Sequence, residues 1–181
     1  MSTRYPPDKL SNVPEEAITT LRAELNGFGR AEIGFALLET FLQVAGAWGV
    51  EAVLDPRRLL LPDEMTDDRA LVQGLIEESA QWPVVKWGPF TVHERRFALE
   101  DDQARWDYTR LAYCSSAATV WSRGRSTTYF EVVDHHRATY WLPDSLKEQY
   151  FATLEAKRWE IPESWLTAVP KQPKPWWKRG R

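Results

Sequence analysis

Residues 30–49, RAEIGFALLETFLQVAGAWG, constrain this chain more than any other stretch. Ile33, Leu37, Phe41, Val44 and Trp48 recur at steps of three or four, the spacing of one face of an α-helix. Leu38, Leu42 and Ala45 add a second apolar row. Glu32, Glu39, Thr40 and Gln43 leave only a narrow wet stripe, so the helix is predicted to be the central, buried one of the fold. Gly34 and Gly46 lie inside it, and each costs roughly 1 kcal/mol against Ala. Close approach of a neighbouring element is the expected compensation. The length suits a bilayer, but the polar residues do not. On an insertion scale a central Glu39 costs roughly 2.5–3.5 kcal/mol, and Thr40, Gln43 and the glycines cancel most of the remaining gain. The stretch reads as a core helix.

The elements around it set the fold class. Pro14 followed by Ile18, Leu21 and Leu25 predicts a short amphipathic helix, stopped by Asn26-Gly27. Two helices joined by a short turn invite a helix-turn-helix reading. The second helix lacks the polar face that reading needs, so a helical hairpin is expected. Residues 54–68 form a connection, then Thr66 or Asp67 caps a helix with Leu71, Val72, Leu75, Ile76 and Ala80 on its inner face, ended by Pro83. At least one strand is expected near residues 90–97. Residues 103–121 fit a helix and tolerate a strand, with helix favoured. The clearest β signal is a hairpin: turn 122–126, strand 127–133 (TTYFEVV), loop 134–137, strand 138–142 (ATYWL). Ser145 and Glu148 then suggest a capping box for a helix reaching about residue 158, and 161–169 hold one more turn. The sum is an α+β chain: an N-terminal helical layer around residues 30–49, packed with a small antiparallel β-meander, then a C-terminal helix. It divides into one domain, 1–169, and a basic tryptophan-bearing tail, 170–181, expected to be mobile or partner-bound.

Composition narrows the function classes. A net charge of −3 over 181 residues is not the footprint of a general nucleic-acid binder. After Glu163, however, five basic residues occur with no acid. One cysteine, Cys114, excludes an internal disulfide framework and fits a reducing cytoplasm. No basic-then-apolar leader opens the sequence, so a cytoplasmic location is expected. Ten tryptophans demand either an aromatic core or a surface meant for contact.

Four groups carry possible chemistry. The run Val133-Asp134-His135-His136, after a strand, resembles the signature of the DHH phosphoesterase family, whose members hold two metal ions with Asp and His side chains. The resemblance covers these few residues. That family's aspartate motifs on earlier strands have no counterpart in this shorter chain. It implies Asp134 and His136 as ligands, with His93 the best third; the competing reading is a polar hairpin loop. Cys114 is a candidate nucleophile if His135 or His136 reaches it, and otherwise a small apolar filler. Arg123 and Arg125 lie at one end of strand 127–133 and Arg137 at the other, about 20 Å away, so they do not form one patch. The first pair reads as solvated turn charge or as contacts to a phosphate or an acidic partner. In the tail, Trp176 and Trp177 stand beside Lys174, Lys178, Arg179 and Arg181, a combination that stacks on bases, sits on anionic surfaces, or docks into a protein groove.

The expected function is a non-catalytic accessory or adaptor protein that binds another protein, with Trp176, Trp177, Lys178, Arg179, Arg181, Arg123 and Arg125 as its contact residues and no cofactor. The alternative is an RNA- or ssDNA-binding module built on the strand aromatics and the basic tail. A small metal-dependent hydrolase at Asp134 and His136 comes third, and a membrane surface last among the partners considered.

Overall fold

The computed structural model describes residues 16–24, 28–61, 63, 65–87, 89–124, 126–133, 135 and 137–171. Its first element is a strand, β1 (Ile18–Glu24), where a helix was expected. The step of three in Ile18 and Leu21 misleads; the β-branched run Ile18-Thr19-Thr20 is the truer signal. Thr19, Leu21 and Ala23 are buried, while Thr20 and Arg22 point away, the alternation of a pleated strand. With a strand in the first helix's place, the helical hairpin and the helix-turn-helix reading both fall. Leu25 and Asn26-Gly27 lie outside the described residues.

The long helix is present as α1 (Phe28–Gly46). It stops three residues before the expected end. Trp48 and Gly49 form a turn in which Gly49 takes a φ of +66°, a value side-chain-bearing residues rarely adopt. The buried stripe consists of Leu37, Leu38, Phe41, Leu42 and Ala45. Ile33 and Trp48, expected on that stripe, are 42% and 36% exposed, and Trp48 lies in the turn beyond the helix. A Cβ at Gly46 would sit 3.5 Å from the Leu99 Cβ, ordinary contact, so packing does not demand glycine there.

Strand β2 (Val50–Leu54) follows α1 and was not anticipated. After a single turn at Pro56–Arg58 comes α2 (Thr66–Glu78), whose N-cap is Met65 and makes no side-chain capping bond. A hairpin of β3 (Val84–Trp87) and β4 (Phe90–His93) leads into β5 (Arg95–Phe97). Residues 103–121 turn out to contain both possibilities: α3 (Asp102–Ala112), capped by Asp101, then strand β6 (Ala118–Ser122). The hairpin β7 (Thr128–Val133) and β8 (Arg137–Pro143) is as expected. Helices α4 (Asp144–Ala156) and α5 (Glu163–Leu166) complete the order. The capping box does not form. The Ser145 hydroxyl instead donates to Glu16 Oε2 at 2.7 Å, tying α4 to the approach of β1. At its other end α4 closes with Arg158 at a φ of 59° and the Trp159 N–H on the Leu154 carbonyl.

Among the described residues the strands make a six-stranded antiparallel sheet in the order β1-β8-β7-β6-β2-β5, plus the two-stranded β3-β4 sheet. The fold is α+β, with a larger sheet than a meander because β1 and β2 join it. Helices α1, α3 and α4 cover one face. Phe41 of α1 meets Phe130, Tyr140 and Tyr150 at ring separations of 6.1, 5.2 and 5.8 Å. The four buried tyrosine hydroxyls each find a partner, as burial requires. Tyr150 donates to the Leu37 carbonyl and Tyr113 to that of Gly34, so two hydroxyls grip α1. Tyr113 has spent its one proton, so across the 3.1 Å Tyr113–Tyr140 contact Tyr140 is the donor. Burial raises the pKa of all four buried phenols, Tyr108, Tyr113, Tyr140 and Tyr150. Glu39, expected on a wet stripe, pairs with Lys157 at the C-cap of α4 at 3.0 Å and Arg105 of α3 at 3.7 Å, linking the three helices.

Candidate binding site on the open face of the sheet

Alternation along each strand sends half the side chains to the face the helices do not cover. In β8, Ala138, Tyr140 and Leu142 are buried, so Thr139 and Trp141 point the other way. Phe130 pairs with Tyr140 on the helical face, which puts Tyr129 on the open face beside Trp141. In β6, Val120 pairs with Phe130, so Trp121 also faces outward. A register shift at Val120/Trp121 sets Trp121 opposite Thr128, next to Tyr129. Three aromatic residues thus stand side by side on adjacent strands, within about 10 Å. All three are half-buried.

The surroundings are mixed in charge. Glu131 lies in the next row, between Thr119 and Thr139, and Glu51 pairs with Trp121. Burial raises the pKa of Glu131, and burial followed by the nearby Glu16 raises that of Tyr129. Arg22 and Arg96 supply cations on the same face, opposite Thr139 and Val53. Val53 and Thr119 are buried, so among the described residues the face is closed over β2 and the start of β6 and open around Trp121, β7 and β8.

At the β1 edge the face continues into a cleft of about 570 Å³, lined among others by Thr20, Arg22, Trp141, Ser164, Trp165 and Lys171. The Ile18 N–H donates to the Lys171 carbonyl at 3.1 Å and the Lys171 N–H to the Ile18 carbonyl at 2.9 Å. Lys171 falls in the tail by sequence, yet it is hydrogen-bonded to the sheet. Trp165, packed on Tyr140 and Tyr150, donates its Nε1–H to the Arg22 carbonyl at 2.8 Å.

The Cys114 thiol lies 3.8 Å from Met65 Sδ and 3.9 Å from the Arg110 carbonyl. Burial, helped by nearby Asp68, pushes its pKa up to about 11, so almost none is thiolate at neutral pH. His135 does reach Cys114, but at its backbone: Nδ1 lies 2.7 Å from the carbonyl oxygen and donates to it. With a φ of 60°, His135 pins the β7–β8 turn against the end of α3, a structural task. His93 Nε2 accepts from Arg57 at 3.0 Å, while its backbone N–H donates to buried Asp55 at 2.9 Å. Among the described residues no three His, Cys, Asp or Glu side chains converge on a metal position. Arg123 is exposed at the β6–β7 turn, with Arg137 at the far end of β7. Asp134, His136, Arg125, Trp176, Trp177, Lys178, Arg179 and Arg181 lie outside the described residues. Among those described, no helix is long and apolar enough to cross a membrane.

Sequence reasoning found Tyr129 and Trp141 as strand aromatics but missed Trp121, Thr20 and Arg22. The alternation Ala118-x-Val120 holds the signal for Trp121. The chain matches no protein-family model, no curated protein and no solved structure.

Proposed function

We propose that this chain is a non-catalytic binding protein that contacts a protein partner through the open face of its sheet. The carrying observation is the row Trp121, Tyr129 and Trp141. Large, stiff aromatic side chains ringed by polar groups are what binding hot spots use. Glu131 favours protein over nucleic acid, because a carboxylate amid the platform repels a phosphate backbone. Arg123 flanks the row, and residues 172–181, with Trp176, Trp177, Lys178, Arg179 and Arg181, begin from Lys171 at the rim of the cleft. We count these residues and Arg125 among the partner contacts.

Capture with the tagged full chain tests this, in parallel with Trp121→Ala/Trp141→Ala. A stoichiometric protein partner that survives nuclease and is lost with the double variant is the expected result. Equal capture by both chains removes the face from the account.

The sheet aromatics also support a second reading, RNA or ssDNA binding, since bases stack on such rings. That reading requires affinity for mixed oligonucleotides that falls steeply with salt. No binding at low salt ends it.

A further inference from the structure

Alternation makes Ile18, Thr20 and Arg22 the residues of β1 whose backbone groups face away from β8. Ile18 is paired with Lys171, and the Arg22 carbonyl takes the indole N–H of Trp165. Between them, the outward N–H and C=O of Thr20 have no partner among the described residues. Continuing the Ile18–Lys171 ladder would bring Val169 opposite Thr20. The chain turns away instead, and Val169 is 77% exposed. The cleft is the gap left by this departure.

Its lining has a definite chemistry. Two exposed cations, Arg22 and Lys171, stand at the rim, and no carboxylate is among the lining residues. Trp141 offers an indole face, and Ser164 and Thr20 offer hydroxyls. Four residue steps of strand separate Ile18 from Arg22, about 13 Å. Both ends are shut, one by the Lys171 bridge and one by Trp165. An extended chain cannot run through such a window. An end of about three residues can enter it.

We propose that this cleft binds the free C-terminal end of a partner polypeptide. The Thr20 backbone pairs with the incoming chain as a strand edge does, the terminal carboxylate meets Arg22 and Lys171, and an apolar side chain rests on Trp141. This rests on the reading of the chain as a protein-binding protein and names the chemistry of its ligand.

The test is an array of random hexapeptides, made once with free C-termini and once as C-terminal amides, probed with the labelled full chain. Hits are then measured in solution by fluorescence polarisation. The expected result is hits confined to the free-carboxylate array, each weakened about ten-fold or more by amidation. The Arg22→Gln/Lys171→Gln variant, altered only at exposed side chains, should lose a similar factor with its melting temperature unchanged. Equal hits on both arrays, no hits, or hits indifferent to the double variant overturn the assignment. Trp121→Ala separates this from the broader reading, since Trp121 lies outside the cleft. Loss of partner capture in Trp121→Ala without peptide hits sinks the cleft alone.

Discussion

The two faces of the large sheet use the same kinds of residue for opposite ends. On the helical face Phe130, Tyr140, Phe41, Tyr150 and Trp165 are at most 1% exposed, and their polar atoms are paired within the fold. On the other face Trp121, Tyr129 and Trp141 remain half-buried, with Glu131, Arg22 and Arg96 among them. The first arrangement lowers the energy of the folded chain. The second leaves apolar area uncovered among the described residues. Aromatic content alone therefore says nothing about binding; which side of the pleat each ring occupies does.

The widest gap between the faces should appear in stability. Phe41→Ala should cost about 3–5 kcal/mol, and Trp121→Ala about 1 kcal/mol, read from urea unfolding midpoints. Similar costs would mean that the open face is a second core. The next effect depends on pH. Burial holds the four phenols neutral in the fold, while an unfolded tyrosine ionises near pH 10. The folded pKa is the higher one, so this stabilisation is whole below about pH 10. It is lost as pH rises further, at about 1.4 kcal/mol per unit for each phenol. Tyr140→Phe should flatten the alkaline limb by one such share, whereas Tyr129→Phe should flatten it less. A smaller contrast concerns helix α2. Gly74 sits mid-helix with nothing within 4 Å of an added Cβ, so Gly74→Ala should raise stability by about 0.5–1 kcal/mol. The smallest effect belongs to the open face. The raised pKa of Glu131 marks a carboxylate that the fold disfavours, so Glu131→Gln should stabilise slightly at pH 7 and lose that advantage as the carboxyl protonates on acidification. No pH dependence of the gain would refute the burial of this carboxyl.

Local patterns were legible and distant ones were not. The α1 periodicity and the alternation in β7 and β8 each lie within one short window, and both elements stand close to where the sequence puts them. Strand β1 exists because β8 offers it a partner far along the chain, and no window contains both. The same blindness hid the helix-to-strand switch after Ala112. It also hid the Glu16 carboxylate that draws Ser145 out of its expected cap. Half of the candidate site follows from strand alternation. The cleft does not, because it needs the β1 edge, Trp165 and Lys171 brought together by tertiary structure.

The pairing of Glu24 with Arg137 has a consequence during synthesis. At ribosomal speeds of about 5–20 residues per second, β1 leaves the exit tunnel roughly ten seconds before the strand that completes it. Over that interval Ile18, Leu21 and their neighbours form an unmatched strand in a crowded cell. The nascent chain is then open to a holding chaperone, or to a second copy emerging from the same message. Arrival of β8 closes that opening, so the final strand acts as the timer of folding.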